Sequence, residues 1–129
     1  MITEDYVSFE TAKLLKEKGF DGLCRTAYET ITGEHEVEQC SPSSWGELNQ
    51  VKRPTLQMAM KWLRENFNIN PVPYALSLGW AFDIFDLSNR DITGCKKLYS
   101  MDFPSKPESY NTYEEACETA IKYCLENLI

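Results

Sequence analysis

His35 and Cys40 are the first residues in this chain to weigh for chemistry, because an imidazole within reach of a thiol can turn it into a nucleophile. His35 is the only histidine. The two stand five residues apart in a segment that reads as a strand. Odd spacings on a strand place side chains on opposite faces, so a same-strand Cys/His couple is excluded in that register. Asp83 and Asp86 meet the same obstacle: D-x-x-D spacing separates the two carboxylates, which then neither form an acid–base dyad nor share a metal. Asp83 keeps its interest alone. It lies on an otherwise apolar face, and a buried carboxylate without a partner is driven to hold its proton, which is how proton carriers are made. An edge position or an internal salt bridge is the favoured account of the same residue. One functional reading is therefore a small enzyme whose site is assembled from loops around Asp83 or His35.

The five cysteines, Cys24, Cys40, Cys95, Cys117 and Cys124, are odd in number and scattered. Cys117 and Cys124 are seven apart in a helical pattern, which places both on its buried face as small hydrophobes. No C-x-x-C occurs, and no cysteine has a paired His or Cys at zinc-ligand spacing. Glycine-rich phosphate loops, nucleophile elbows and H-E-x-x-H are likewise missing from the sequence. No metal, cofactor or catalytic residue is assigned on these grounds.

Two charged groupings suggest binding. Glu34, Glu36 and Glu38 fall on one strand face, where they could receive a cation or a basic partner, although such a strip reads first as a solvated face. Lys52, Arg53, Lys61 and Arg64 could form a basic edge, with Trp62 as a stacking platform for single-stranded nucleic acid. Lys61 and Arg64 share a helix face, but Trp62 lies on the other flank. A formal charge of −7 also repels a phosphate backbone, so nucleic-acid binding is disfavoured. The candidate surface for a protein partner combines Trp45 and Tyr110, from aromatic-containing loops, with Lys61 and Arg64.

These residues are positioned by a readable set of elements. A helix starts after Ser8, an N-cap with Glu10 in the first turn, carries the stripe Phe9, Ala12 and Leu15, and stops at Gly19. Phe20 packs back onto the core. Cys24 to Ile31 reads as a strand, Thr32-Gly33 as a hairpin turn, and His35 to Cys40 as the return strand. Ser41 to Gly46 is a loop. A second helix spans Pro54 or Thr55 to Asn66. Leu56, Ala59, Met60, Leu63 and Phe67 share one face of it, widened by Met58 and Trp62.

Asn70-Pro71-Val72-Pro73 suits only an entry or edge segment, because proline lacks the donor a ladder needs. Gly79 to Leu87 is apolar on both faces and reads as a central strand, followed by a turn at Ser88-Asn89-Arg90-Asp91. Lys96 to Met101 forms a further strand, and Phe103 to Pro107 a loop. The last helix opens on the capping box Thr112-Tyr113-Glu114-Glu115. Its stripe is Tyr113, Ala116, Cys117, Ala120, Ile121, Cys124 and Leu128. The order αββαβββα predicts an α+β fold, a single domain over residues 1–129, with an antiparallel or mixed sheet of about four to five strands packed by three helices.

At 129 residues the chain has the size of one ordinary domain, and roughly two-thirds of the unfolded surface is buried at such a length. Its 43% hydrophobic and 26% charged residues place it among folded globular chains. The first residues, Met1 to Tyr6, show no basic n-region and no long apolar run, so no signal peptide is read and the cysteines are expected reduced in a cytoplasm. No apolar stretch approaches the roughly 18 residues of a membrane span.

Three segments carry a resemblance: Val7-Ser8-Phe9-Glu10-Thr11-Ala12-Lys13-Leu14-Leu15-Lys16-Glu17-Lys18-Gly19-Phe20, the Pro54–Glu65 helix, and Tyr113-Glu114-Glu115-Ala116 leading into the final helix. In these the chain resembles small uncharacterised proteins of phages, prophages and other mobile elements of gut anaerobic bacteria. The resemblance implies a context and transfers no activity, cofactor or site. The leading expectation is a noncatalytic cytoplasmic accessory protein of phage or mobile-element origin that binds another protein.

Overall fold

The structure, a computed structural model, describes residues 2–29, 50–100 and 109–129, together with the backbone of 36–38. Among these residues it is an α+β fold with three helices, as the patterning predicts. The strands, however, form two three-stranded sheets, both antiparallel, in place of one sheet of four to five strands. The chain divides into two compact units, Met1–Ala59 and Met60–Ile129.

In the first unit, α1 (Phe9–Glu17) begins where Ser8 Oγ accepts the Thr11 N–H at 3.2 Å. It ends in a Schellman arrangement: Gly19 N–H donates to Lys16 C=O and Phe20 N–H to Leu15 C=O. Gly19 makes this possible at φ +90, a conformation costly for any residue with a Cβ. Ala12, Leu15 and Phe20 are buried, as is Thr11, which receives a hydrogen bond from Ser8 Oγ.

The first sheet has β1 (Thr26–Glu29) at its centre, with β2 (Glu36–Glu38) on one side and β3 (Gln50–Lys52) on the other. Ala27 pairs with Val37 in β2 and with Lys52 in β3. The β1–β2 pairing follows the predicted hairpin. Its turn at Thr32-Gly33 lies outside the described residues, as do His35, Cys40, Glu34, the loop around Trp45 and the side chains of Glu36 and Glu38. β3 was not expected: it is three residues long with a single buried apolar side chain, Val51, too short to show a period. α1 packs against β3.

α2 (Leu56–Phe67) starts one or two residues later than its proline suggested. Thr55 is the cap, its Oγ1 accepting the Met58 N–H at 3.1 Å. Pro54 stands before the cap and is buried, its carbonyl taking the Val7 N–H at 3.1 Å. Leu56, Ala59, Met60, Trp62 and Leu63 are buried as the wheel predicts, whereas Met58 and Phe67 at the margins of that arc are exposed. Asn68 closes the helix at φ 56.

The second unit is built on β4 (Ile69–Leu76), β5 (Gly79–Asp91) and β6 (Gly94–Ser100), with β5 central and β4 at an edge, as read from the sequence. Pro71 and Pro73 are accommodated by register. Leu87 N–H donates to Asn68 C=O, so the alternate pairs Asn70/Phe85 and Val72/Asp83 carry the ladder bonds. Both prolines fall at the non-hydrogen-bonded pairs and lose no donor.

The predicted turn at Ser88–Asp91 is corrected: β5 runs on to Asp91, and the reversal comes at Ile92-Thr93. Asp86 pairs with Lys96 and Arg90 with Cys95, leaving Leu87, Ser88 and Asn89 as extra residues on β5. Asp86 Oδ1 accepts Ser88 N–H and Oγ at 2.9 and 2.6 Å. Turn-forming chemistry is thus present, but it shapes a bulge inside the strand.

α3 (Tyr113–Asn127) packs on β4 and β5. Thr112 Oγ1 accepts the Glu115 N–H at 3.1 Å, and Glu115 Oε2 accepts the Asn111 N–H at 3.0 Å, so the capping box forms. Ala116, Cys117, Ala120, Ile121, Cys124 and Leu125 are all fully buried. Phe82 on β5 stacks on Tyr99 of β6, which meets Tyr123 of α3, while Trp80 meets Tyr113 edge-on. Thr112→Ala is expected to cost about 1 kcal/mol, read as a lowered midpoint of urea unfolding.

Candidate functional site

The sheet β4–β5–β6 sorts its side chains by parity. Trp80, Phe82 and Ile84 turn toward α3. Asp83, at an odd position, turns to the opposite face, together with Val72 directly across from it on β4 and Ser100 on β6. Tyr74 and Lys97 are its diagonal neighbours on that face, opposite Ala81 and Phe85. These three titratable side chains form a polar cluster on that face.

Asp83 Oδ2 lies 3.5 Å from Lys97 Nζ, with the Asp83 side chain 16% exposed and that of Lys97 48%. The internal salt bridge foreseen as one account of Asp83 is therefore present. Oδ1 is buried and accepts no hydrogen bond among the described residues. Lys97 also extends toward the Phe85 ring, 5.7 Å from its centroid. Burial raises the Tyr74 pKa, and the charge of Asp83 and the hydrogen bond to its carboxylate raise it further. Asp83→Asn is expected to move the Tyr74 titration down toward its ordinary value, leaving the part due to burial. The check is an ultraviolet titration with Tyr74→Phe as the subtraction background; an unmoved titration would show that Asp83 does not act on Tyr74.

Asp86 occupies the other face, as D-x-x-D spacing on a strand requires. Its Oδ1 is engaged in its own bulge: hydrogen bonds from the Ser88 side chain and backbone hold its pKa below the usual carboxylate range. Asp91 does the same at the β5–β6 reversal, accepting from Thr93 N–H at 2.7 Å and from the Thr93 hydroxyl. Among the described residues no three His, Cys, Asp or Glu side chains gather as a metal-binding group.

None of the protein families, curated proteins or solved structures compared with the chain matches it.

Three thiols among the described residues are buried and held protonated. Burial pushes Cys24 up to about 11, with Lys52 pulling weakly the other way. Cys117 is pushed up to about 11 and Cys124 to about 12 by the same cause. Cys95 on β6 is half-buried.

The basic residues are used unequally. Lys52 Nζ donates to Gly22 C=O at 3.1 Å. The Arg53 guanidinium stacks 3.8 Å from the Tyr6 ring centroid and 5.4 Å from that of Tyr28, and its Nη1 reaches Thr26 Oγ1 at 3.3 Å. Arg53 therefore ties the N-terminal segment to the first sheet, and Lys52 ties β3 to the connection that precedes β1. Lys61 is exposed and 3.8 Å from Glu65 one turn on, a pair worth a few tenths of a kcal/mol at most. Arg64 is half-buried. Trp62 is 7% exposed and packs on Phe67, so it offers no stacking platform, as the helical wheel implied.

Of the proposed partner surface, Trp45 lies outside the described residues. Tyr110 is half-buried. It exchanges two backbone hydrogen bonds of 2.8 Å with Trp80 and stacks on Phe82. Gly79 permits this approach, since a Cβ there would meet Tyr110 O at 2.6 Å. Tyr74 and Lys97 are the members of the Asp83 cluster that sequence reasoning missed. Tyr74 follows from alternation once a two-residue turn at Ser77-Leu78 is assumed; Lys97 has no local signal, because its register depends on the irregularities between β5 and β6.

Proposed function

We propose that this chain is a noncatalytic accessory protein that acts by binding another protein, working in the cytoplasm and originating from a phage or mobile element. One observation carries the reading: the carboxylates weighed for chemistry, and three of the thiols, are engaged or buried within the fold among the described residues. Cys24, Cys117 and Cys124 are buried and kept protonated, Asp83 is matched by Lys97 and Tyr74, and Asp86 and Asp91 close a bulge and a turn. What these leave for recognition is surface. The Lys61 and Arg64 edge of α2 is one part, and the apolar tips of the two hairpins, Leu78 at 91% and Ile92 at 104% exposure, are another. Locally, the Lys61 and Arg64 edge favours an acidic patch on the partner, although the chain as a whole carries a net charge of −7. The mobile-element context rests on the three resembling segments.

The test compares immobilised wild type with a Lys61→Glu/Arg64→Glu variant of unchanged circular dichroism, both exposed to bacterial host lysate. A protein retained by the wild type and bound about tenfold more weakly by the variant, a loss of about 1.4 kcal/mol, is the expected result. No protein retained above background would overturn the reading.

The Tyr74–Asp83–Lys97 cluster favours a second reading, a small enzyme with Asp83 as proton carrier. Turnover of a hydrolase or isomerase substrate that disappears in folded Asp83→Asn would support it, and equal background in both proteins would end it.

A further inference from the structure

We draw no further inference here: the strongest candidate, the Tyr74–Asp83–Lys97 side-chain cluster on the face of the β4–β5–β6 sheet turned away from α3, carries nothing beyond the readings above because its carboxylate is already matched within the sheet and nothing in the structure shows what covers that face.

Discussion

Phe82→Ala is expected to destabilise the second unit by about 3–5 kcal/mol, the range for truncating a buried phenylalanine. Phe82 is 1% exposed at the middle of the central strand, with its ring stacked on Tyr99 at 5.0 Å and on Tyr110 at 5.9 Å. Removing the ring takes away transfer free energy and leaves a void between β5 and α3. Sheet and helix backbones are both tied by hydrogen bonds, so neither can close onto a void of that size. It also unseats two neighbours, because Tyr99 leans on Tyr123 and Tyr110 pairs with Trp80.

In urea, with a slope of about 2 kcal/mol/M, the unfolding midpoint should fall by about 2 M. Phe82→Leu keeps most of the volume and should lose far less. Ile92→Ser, at the fully exposed hairpin tip, should change stability by no more than about 0.5 kcal/mol. Equal midpoints for Phe82→Ala and Ile92→Ser would contradict the packing described for this face.

Thiol accessibility gives the second large effect. At pH 8 a thiol with a pKa of about 9 is about a tenth ionised, whereas one at about 11 is ionised to roughly one part in a thousand, and one at about 12 tenfold less. Burial adds a barrier to approach. In the native protein Cys24, Cys117 and Cys124 should therefore react with a maleimide or aromatic disulfide at least about a hundredfold more slowly than in urea, while half-buried Cys95 reacts without unfolding. Peptide mapping by mass spectrometry separates the sites. Rapid native labelling of Cys117 or Cys124 would show that the α3 face opens.

The same shifts set an alkaline limit. The folded pKa values exceed the unfolded one, so between about 9 and 12 the unfolded chain holds fewer protons than the native one and stability falls as pH rises. The contribution is fully present below about 9 and is lost as pH climbs through the folded values. The check is the urea midpoint followed from pH 8 upward.

Much of this architecture was legible from residue order because its causes are local. Ser8 and Thr112 cap helices by reaching backbone N–H groups three residues on, and Gly19 ends α1 because a glycine carries φ +90 without strain. Two-sided apolarity placed β5 at the centre of its sheet, and two prolines kept β4 at an edge. Opposed faces for Asp83 and Asp86 follow from the two-residue period of a strand alone.

Tertiary structure decided what depends on partners distant in sequence. Hydrogen bonding between separate segments divides the six described strands into two sheets, and no periodicity within a segment encodes which neighbour it chooses. It recruited β3 from three residues without a pattern of their own. It turned Ser88–Asp91 from a reversal into a bulge, because an Asx-type bond suits either and only the β6 register selects between them. The candidate site divides in the same way: the sequence marked Asp83 as a carboxylate in apolar surroundings, and cross-strand register supplied Tyr74 and Lys97, which turn an isolated charge into a matched one.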